Sequence, residues 1–92
     1  MDNQEDESIK IAFTVPKRRF KRANKRNLLK RRMKEAYRLN KLPLKNYLIS
    51  QNLSIQILVV YVSSDALPFN EIELKLKNVL DYVLKEVEKY NQ

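Results

Sequence analysis

Residues 9–40 read IKIAFTVPKRRFKRANKRNLLKRRMKEAYRLN. The first seven alternate, with Ile9, Ile11, Phe13 and Val15 on one face and Lys10, Ala12 and Thr14 on the other. Period-two alternation of β-branched and aromatic residues predicts a half-buried strand. Pro16 ends it by removing an amide donor. Lys17 to Ala23 has no clear period and reads as a basic loop. From about Asn24 the period becomes helical. Asn24 is a candidate N-cap, and Leu29, Met33, Ala36 and Tyr37 recur at i, i+4, i+7 and i+8. Asn27, Lys30, Arg31, Lys34 and Arg38 then gather on a face beside that apolar stripe. Asn40 is expected to stop the helix, because asparagine best fills a left-handed position in a chain without glycine.

Downstream, Pro43 opens a short segment, and LKNYLISQN predicts a two-turn helix ending at Asn52. In LSIQILVVYV, residues 53–62, Ile57 to Val62 are apolar on both faces, which predicts a central strand covered on both sides. The loop SSDALPFN follows. Asn70 is the candidate cap of a long last helix, with Glu71 and Glu73 favoured in its first turn by the helix dipole. Ile72, Leu76, Val79, Leu80, Val83 and Val87 form its stripe. The order is strand, basic helix, short helix, strand, long helix. That is an α/β (α+β) layer, a small sheet with packed helices. Two strands are too few for an independently stable sheet. Either further strands come from elsewhere, or a piece of the natural domain precedes this chain. Residues 1–8 read as a flexible acidic lead-in and 9–92 as one domain, since 92 residues suffice for one domain and not two.

Charge narrows the function. Residues 17–41 hold thirteen basic side chains and one acid, Glu35, or +12; the rest hold six against ten, or −4. Self-repulsion of such a block points to an anionic partner. Cysteine and histidine are absent, which removes disulfides, thiolate and imidazole metal sites, and the usual general base. The acids are scattered, with no spacing that suggests catalysis. No apolar run approaches the ~20 residues of a membrane span, and MDNQEDES is unlike a secretory or mitochondrial signal, so a cytoplasmic location is expected. A solvated face or tail would not interleave its charges with apolar residues at helical spacing. A membrane-surface helix would carry bulkier apolar residues. A DNA reader would have a helix-turn-helix or zipper frame. RNA is the anion that best suits a basic helix beside an exposed sheet.

The stretch TVPKRRFKRANKRNLLKRRMKEAYRL resembles the central signature of the bacterial ribonuclease P protein component. In that family a strand ends in a small-residue and Lys-Lys corner, followed by a basic loop and a helix reading close to Arg-Asn-Arg-x-x-Lys-Arg. Lys17 and Arg18 fall on the corner, and Arg26, Asn27, Lys30 and Arg31 on the motif. Glu35-Ala36-Tyr37-Arg38 continues the helix as in family members, and the likeness runs over about residues 9–88. Leu28 stands where the family has its second motif arginine, with Lys25, Arg31 and Arg32 nearby. The family's N-terminal helix and first strand are expected to be missing.

The resemblance implies a fold like the second domain of ribosomal protein S5, with a left-handed βαβ crossover, a rare exception to the right-handed rule. It also implies a non-catalytic protein subunit of an endoribonuclease that matures the 5′ end of tRNA. The partners implied are ribonuclease P RNA and the leader of precursor tRNA. The protein itself would bind no cofactor, and the RNA–protein complex would require Mg2+. The candidate RNA-binding residues are Lys17, Arg18, Lys21, Arg22, Arg26, Asn27, Lys30, Arg31, Lys34 and Arg38. The rival is a ribosomal or ribosome-assembly RNA-binding protein with no role in cleavage.

Overall fold

A computed structural model describes residues 8–91. The five expected elements are present in the expected order: β1 (Ile9–Thr14), α1 (Ala23–Asn40), α2 (Leu42–Ser50), β2 (Ile55–Val60) and α3 (Phe69–Tyr90). β1 and β2 pair in parallel, from Ile9 opposite Ile55 to Thr14 opposite Val60. The Ile55 amide donates to Ser8 O and the Tyr61 amide to Thr14 O, both at 2.9 Å, which extends the ladder by one bond at each end. A parallel pair needs a long crossover, and α1 with α2 supplies it. The acidic lead-in read over residues 1–8 lies outside the described residues except for Ser8, which is buried beside β1.

One core joins every element. Ile9, Ile11, Phe13 and Val15 are buried as their alternation requires, and Ile55, Ile57 and Val59 face the same core from β2. Leu29, Met33, Ala36 and Tyr37 close it from α1, Leu44 and Leu48 from α2, and Ile72, Leu76 and Leu80 from α3. The Tyr37 and Phe13 rings meet edge to face, with centroids 6.1 Å apart.

Four local expectations differ from the structure. The strand β2 is not covered on both sides: Leu58 is 65 % and Val60 45 % exposed. The buried faces of all three helices converge on one side of the two-stranded sheet, so an apolar residue on the other side stays in water. Val79 is likewise exposed, while Leu84 packs against the core with Val83 and Val87.

Neither Asn24 nor Asn70 caps a helix. α1 begins at Ala23 behind Arg22, and α3 at Phe69 behind Pro68, with no side-chain cap bond at either. Proline's fixed φ, here −68° with ψ 163°, sets the entry to α3, and Pro68 O accepts from the Glu71 and Ile72 amides.

The left-handed asparagine is Asn52, at φ 57°, rather than Asn40. It ends α2 in a Schellman arrangement, with the Asn52 amide donating to Ile49 O at 3.1 Å and the Leu53 amide to Leu48 O at 2.9 Å. Asn40 is the last residue of α1, and its side-chain amide donates to Ala36 O at 2.8 Å and Glu73 Oε2 at 3.0 Å. It ties the end of α1 to the start of α3.

Two stability outcomes follow from this packing. Leu80 is 4 % exposed, so Leu80→Ala should lower unfolding stability by ~2–5 kcal/mol in urea titration; an unshifted midpoint would contradict its place in the core. Asn52→Ala should cost about 1 kcal/mol and Asn52→Gly little or nothing, since only a Cβ without a compensating side chain penalises the left-handed turn. Equal loss in both would refute the conformational account.

Candidate nucleic-acid interface

The parallel register brings the carboxyl ends of β1 and β2 side by side, so the loops that follow them meet. The basic loop starts with a tight turn in which Pro16 O accepts from the Arg19 amide at 3.1 Å and the Phe20 amide at 3.3 Å. Phe20 folds inward and meets the Tyr61 ring edge to face at 5.7 Å. The Tyr61 hydroxyl donates to Asp65 O at 2.6 Å and accepts from the Leu67 amide at 3.0 Å, which shapes the second loop. Arg32 reaches across from α1 and donates to Leu67 O at 2.6 Å. Arg19 also turns inward, with Nη1 3.4 Å from Ser64 Oγ.

With Phe20 and Arg19 drawn in, Lys17, Arg18, Lys21 and Arg22 are left exposed on the loop. On α1 the face away from the buried stripe carries Asn27, Arg31 and Arg38, all exposed, with Lys30 and Lys34 half-buried. The structure thus divides the ten predicted residues into a loop group and a helix group joined through Arg26. Arg26 is half-buried, and its Nη1 donates to Phe20 O at 2.8 Å and Lys21 O at 2.9 Å. Arg38 is engaged otherwise: Nε and Nη2 donate to the two Glu35 oxygens at 3.0 and 2.6 Å. This bidentate bond holds the Glu35 carboxyl below its ordinary range and raises Arg38 further. Lys41 sits over the Tyr37 ring, 5.7 Å from its centroid.

Sequence reasoning missed Phe20, Tyr61 and Arg32, which position the loops. An aromatic alone in a basic loop was the one available signal, because a buried ring there needs a partner. The outer sheet face offers a different surface. Lys10, Ala12, Gln56, Leu58 and Val60 are exposed there, with Thr14 partly so. Together these groups can neutralise phosphates and lie against bases. No three acidic side chains come together to hold a metal ion among the described residues, and no described helix is long and apolar enough to cross a membrane.

Comparison with known proteins gives this geometry a context. The ribonuclease P protein components of two Porphyromonas gingivalis strains are each 39 % identical over 70 residues, covering 76 % of this chain and 51 % of theirs. The chain therefore spans about half the length of these curated relatives. No solved structure matches. A family model described as Ribonuclease P matches residues 1–84, which takes in the strand–loop–helix corner, both strands and most of α3, and the chain belongs to the ribonuclease P protein family.

Proposed function

We propose that this chain works in the cytoplasm as the protein subunit of a ribonuclease P ribonucleoprotein. It binds the catalytic RNA and the 5′ leader of precursor tRNA, and so promotes endonucleolytic 5′ maturation. The observation that carries this reading is the family match over residues 1–84, with Asn27, Lys30 and Arg31 presented on one face of α1 directly after the basic loop. Bond cleavage belongs to the RNA subunit with its Mg2+ ions. The protein's part is electrostatic: Lys and Arg neutralise phosphates that would otherwise repel each other as the RNA folds around the cleavage site. Divalent ions then bind at lower concentration, although no protein side chain ligates them. Thr14 and the open sheet face offer a place for unpaired leader nucleotides, whose bases can lie on apolar side chains. A ribosomal RNA binder would share the basic helix but not this family match.

Reconstitution tests the proposal. The chain, mixed with ribonuclease P RNA, should restore precursor tRNA cleavage at low magnesium. Lys30→Ala with Arg31→Ala should reduce that cleavage by ~10-fold or more and recover as magnesium rises, since each phosphate contact contributes to the ion atmosphere. Folding should hold, because Arg31 is exposed and Lys30, half-buried, lies outside the apolar core. Cleavage by the protein without RNA would sink the subunit model. An unaltered magnesium requirement would remove Lys30 and Arg31 from the interface.

Glu35 supplies a gain-of-affinity counterpart. Glu35→Gln releases Arg38 from its ion pair, so binding to the same RNA should tighten, and the slope of log K against log salt should steepen by about 0.7–0.9. A weaker or salt-insensitive complex would show that Arg38 faces no phosphate.

A further inference from the structure

We propose that Arg26 is a positioning residue, which sets the shape of the basic loop through two backbone carbonyls. Within the resemblance it falls among the motif cations, yet its guanidinium points back to the chain. On α1 it lies at the margin of the buried stripe, half-buried, and its side chain follows the usual lean of helical side chains toward the N-terminus. That direction carries Nη1 to Phe20 O at 2.8 Å and Lys21 O at 2.9 Å, six and five residues earlier.

Three constraints then hold one loop. The Pro16 carbonyl turns it over, the Tyr61 ring seats Phe20, and Arg26 fixes the carbonyls of the two successive peptide units that flank Lys21. The electrostatic consequence is specific. Both oxygens carry partial negative charge in a loop whose exposed side chains include Lys17, Arg18, Lys21 and Arg22. Turned toward Arg26, they are neutralised from within, and the exposed side of the loop presents cations to an approaching phosphate. A planar guanidinium can serve two carbonyls at once in a fixed geometry, whereas a lysine ammonium is a point charge on a flexible stem. Arg26 therefore acts on an anion through the loop. The RNA half of the test below rests on the function proposed above; the loop half does not.

Amide hydrogen exchange on the full chain without RNA reads the loop directly. Arg26→Ala should speed exchange at the Arg19 and Phe20 amides, which donate to Pro16 O, by about tenfold or more, the factor expected for losing a hydrogen bond to a charged group. The Ile55 and Tyr61 amides, which close the ends of the sheet, should keep their rates. Arg26→Lys should speed Arg19 and Phe20 to a smaller extent. Unchanged loop rates in both variants overturn the proposal. If Arg26→Ala loses protection at Ile55 and Tyr61 as well, it has unfolded, and Arg26→Lys alone decides.

Binding to in vitro transcribed ribonuclease P RNA supplies a double-mutant cycle with Lys21→Ala/Arg22→Ala. A positioning residue predicts that the Arg26→Ala loss, about tenfold in the native background, shrinks to within about twofold once Lys21 and Arg22, the cations next to the carbonyls it holds, are gone. Additive losses would mean that Arg26 touches phosphate itself, and would overturn the proposal. A chain with no affinity for this RNA would sink the proposed function and leave exchange to decide on Arg26.

Discussion

The parallel pairing of β1 with β2 is the constraint on which the rest depends. Six residue pairs in register place Thr14 beside Val60, so the chain leaves both strands at the same end of the sheet. That puts Phe20 within reach of Tyr61 and Arg19 within reach of Ser64. It also obliges the intervening chain to cross the sheet, which brings the apolar stripe of α1 into one core with Ile9, Ile11 and Phe13, where Tyr37 meets Phe13. A one-residue slip would turn Lys10 and Ala12 inward and expose Ile11 and Phe13. The loop pair, the helix placement and the core are one consequence of one register.

α1 forms against its own charge. Its first turn holds no acid and contains Lys25 and Arg26 behind Arg22, where the helix dipole favours the opposite sign. Neither is there a side-chain cap. What offsets this is burial of Leu29, Met33, Ala36 and Tyr37, whose combined transfer free energy exceeds the few tenths to ~1 kcal/mol at stake in each end charge. With Glu35 the only acid in the block, backbone carbonyls do much of the internal compensation. Phe20 O and Lys21 O serve Arg26, and Leu67 O serves Arg32. A carbonyl neutralises part of a charge locally without lowering the net charge that a distant anion feels.

The coarse design was readable because it rests on periodicity. The alternation in β1 and the 29–33–36–37 stripe place their residues in the core as the spacing requires. The polar face beside the stripe followed too, with Asn27, Arg31 and Arg38 exposed and Lys30 and Lys34 half-buried. Contacts between residues far apart in sequence were not readable. Nothing in IQILVVYV distinguishes a strand with one open face from a covered one, because cover depends on where the helices land. Nor does KRRFKR distinguish Arg19, turned in, from Arg18, turned out; that depends on Ser64, 45 residues away. Asn52, not Asn40, holds the left-handed turn, and both asparagines end a helix, so local sequence does not separate them. Asn40 instead met Glu73, a partner invisible to local reading.

At four of the block's seven arginines the choice of arginine over lysine suits these contacts. Arg19, Arg26, Arg32 and Arg38 each hold a hydrogen bond to a defined oxygen, and two of them hold two. A planar fork loses less freedom per bond formed than a lysine stem does, so it suits positions where the acceptor is fixed. Lys17, Lys21 and Lys25 stand exposed, where a hydrated point charge can follow a flexible phosphate backbone at little entropic cost. Counting basic residues therefore overstates the surface an anion meets. Two of those arginines, Arg26 and Arg32, spend hydrogen bonds on loop carbonyls that an anion would otherwise compete for.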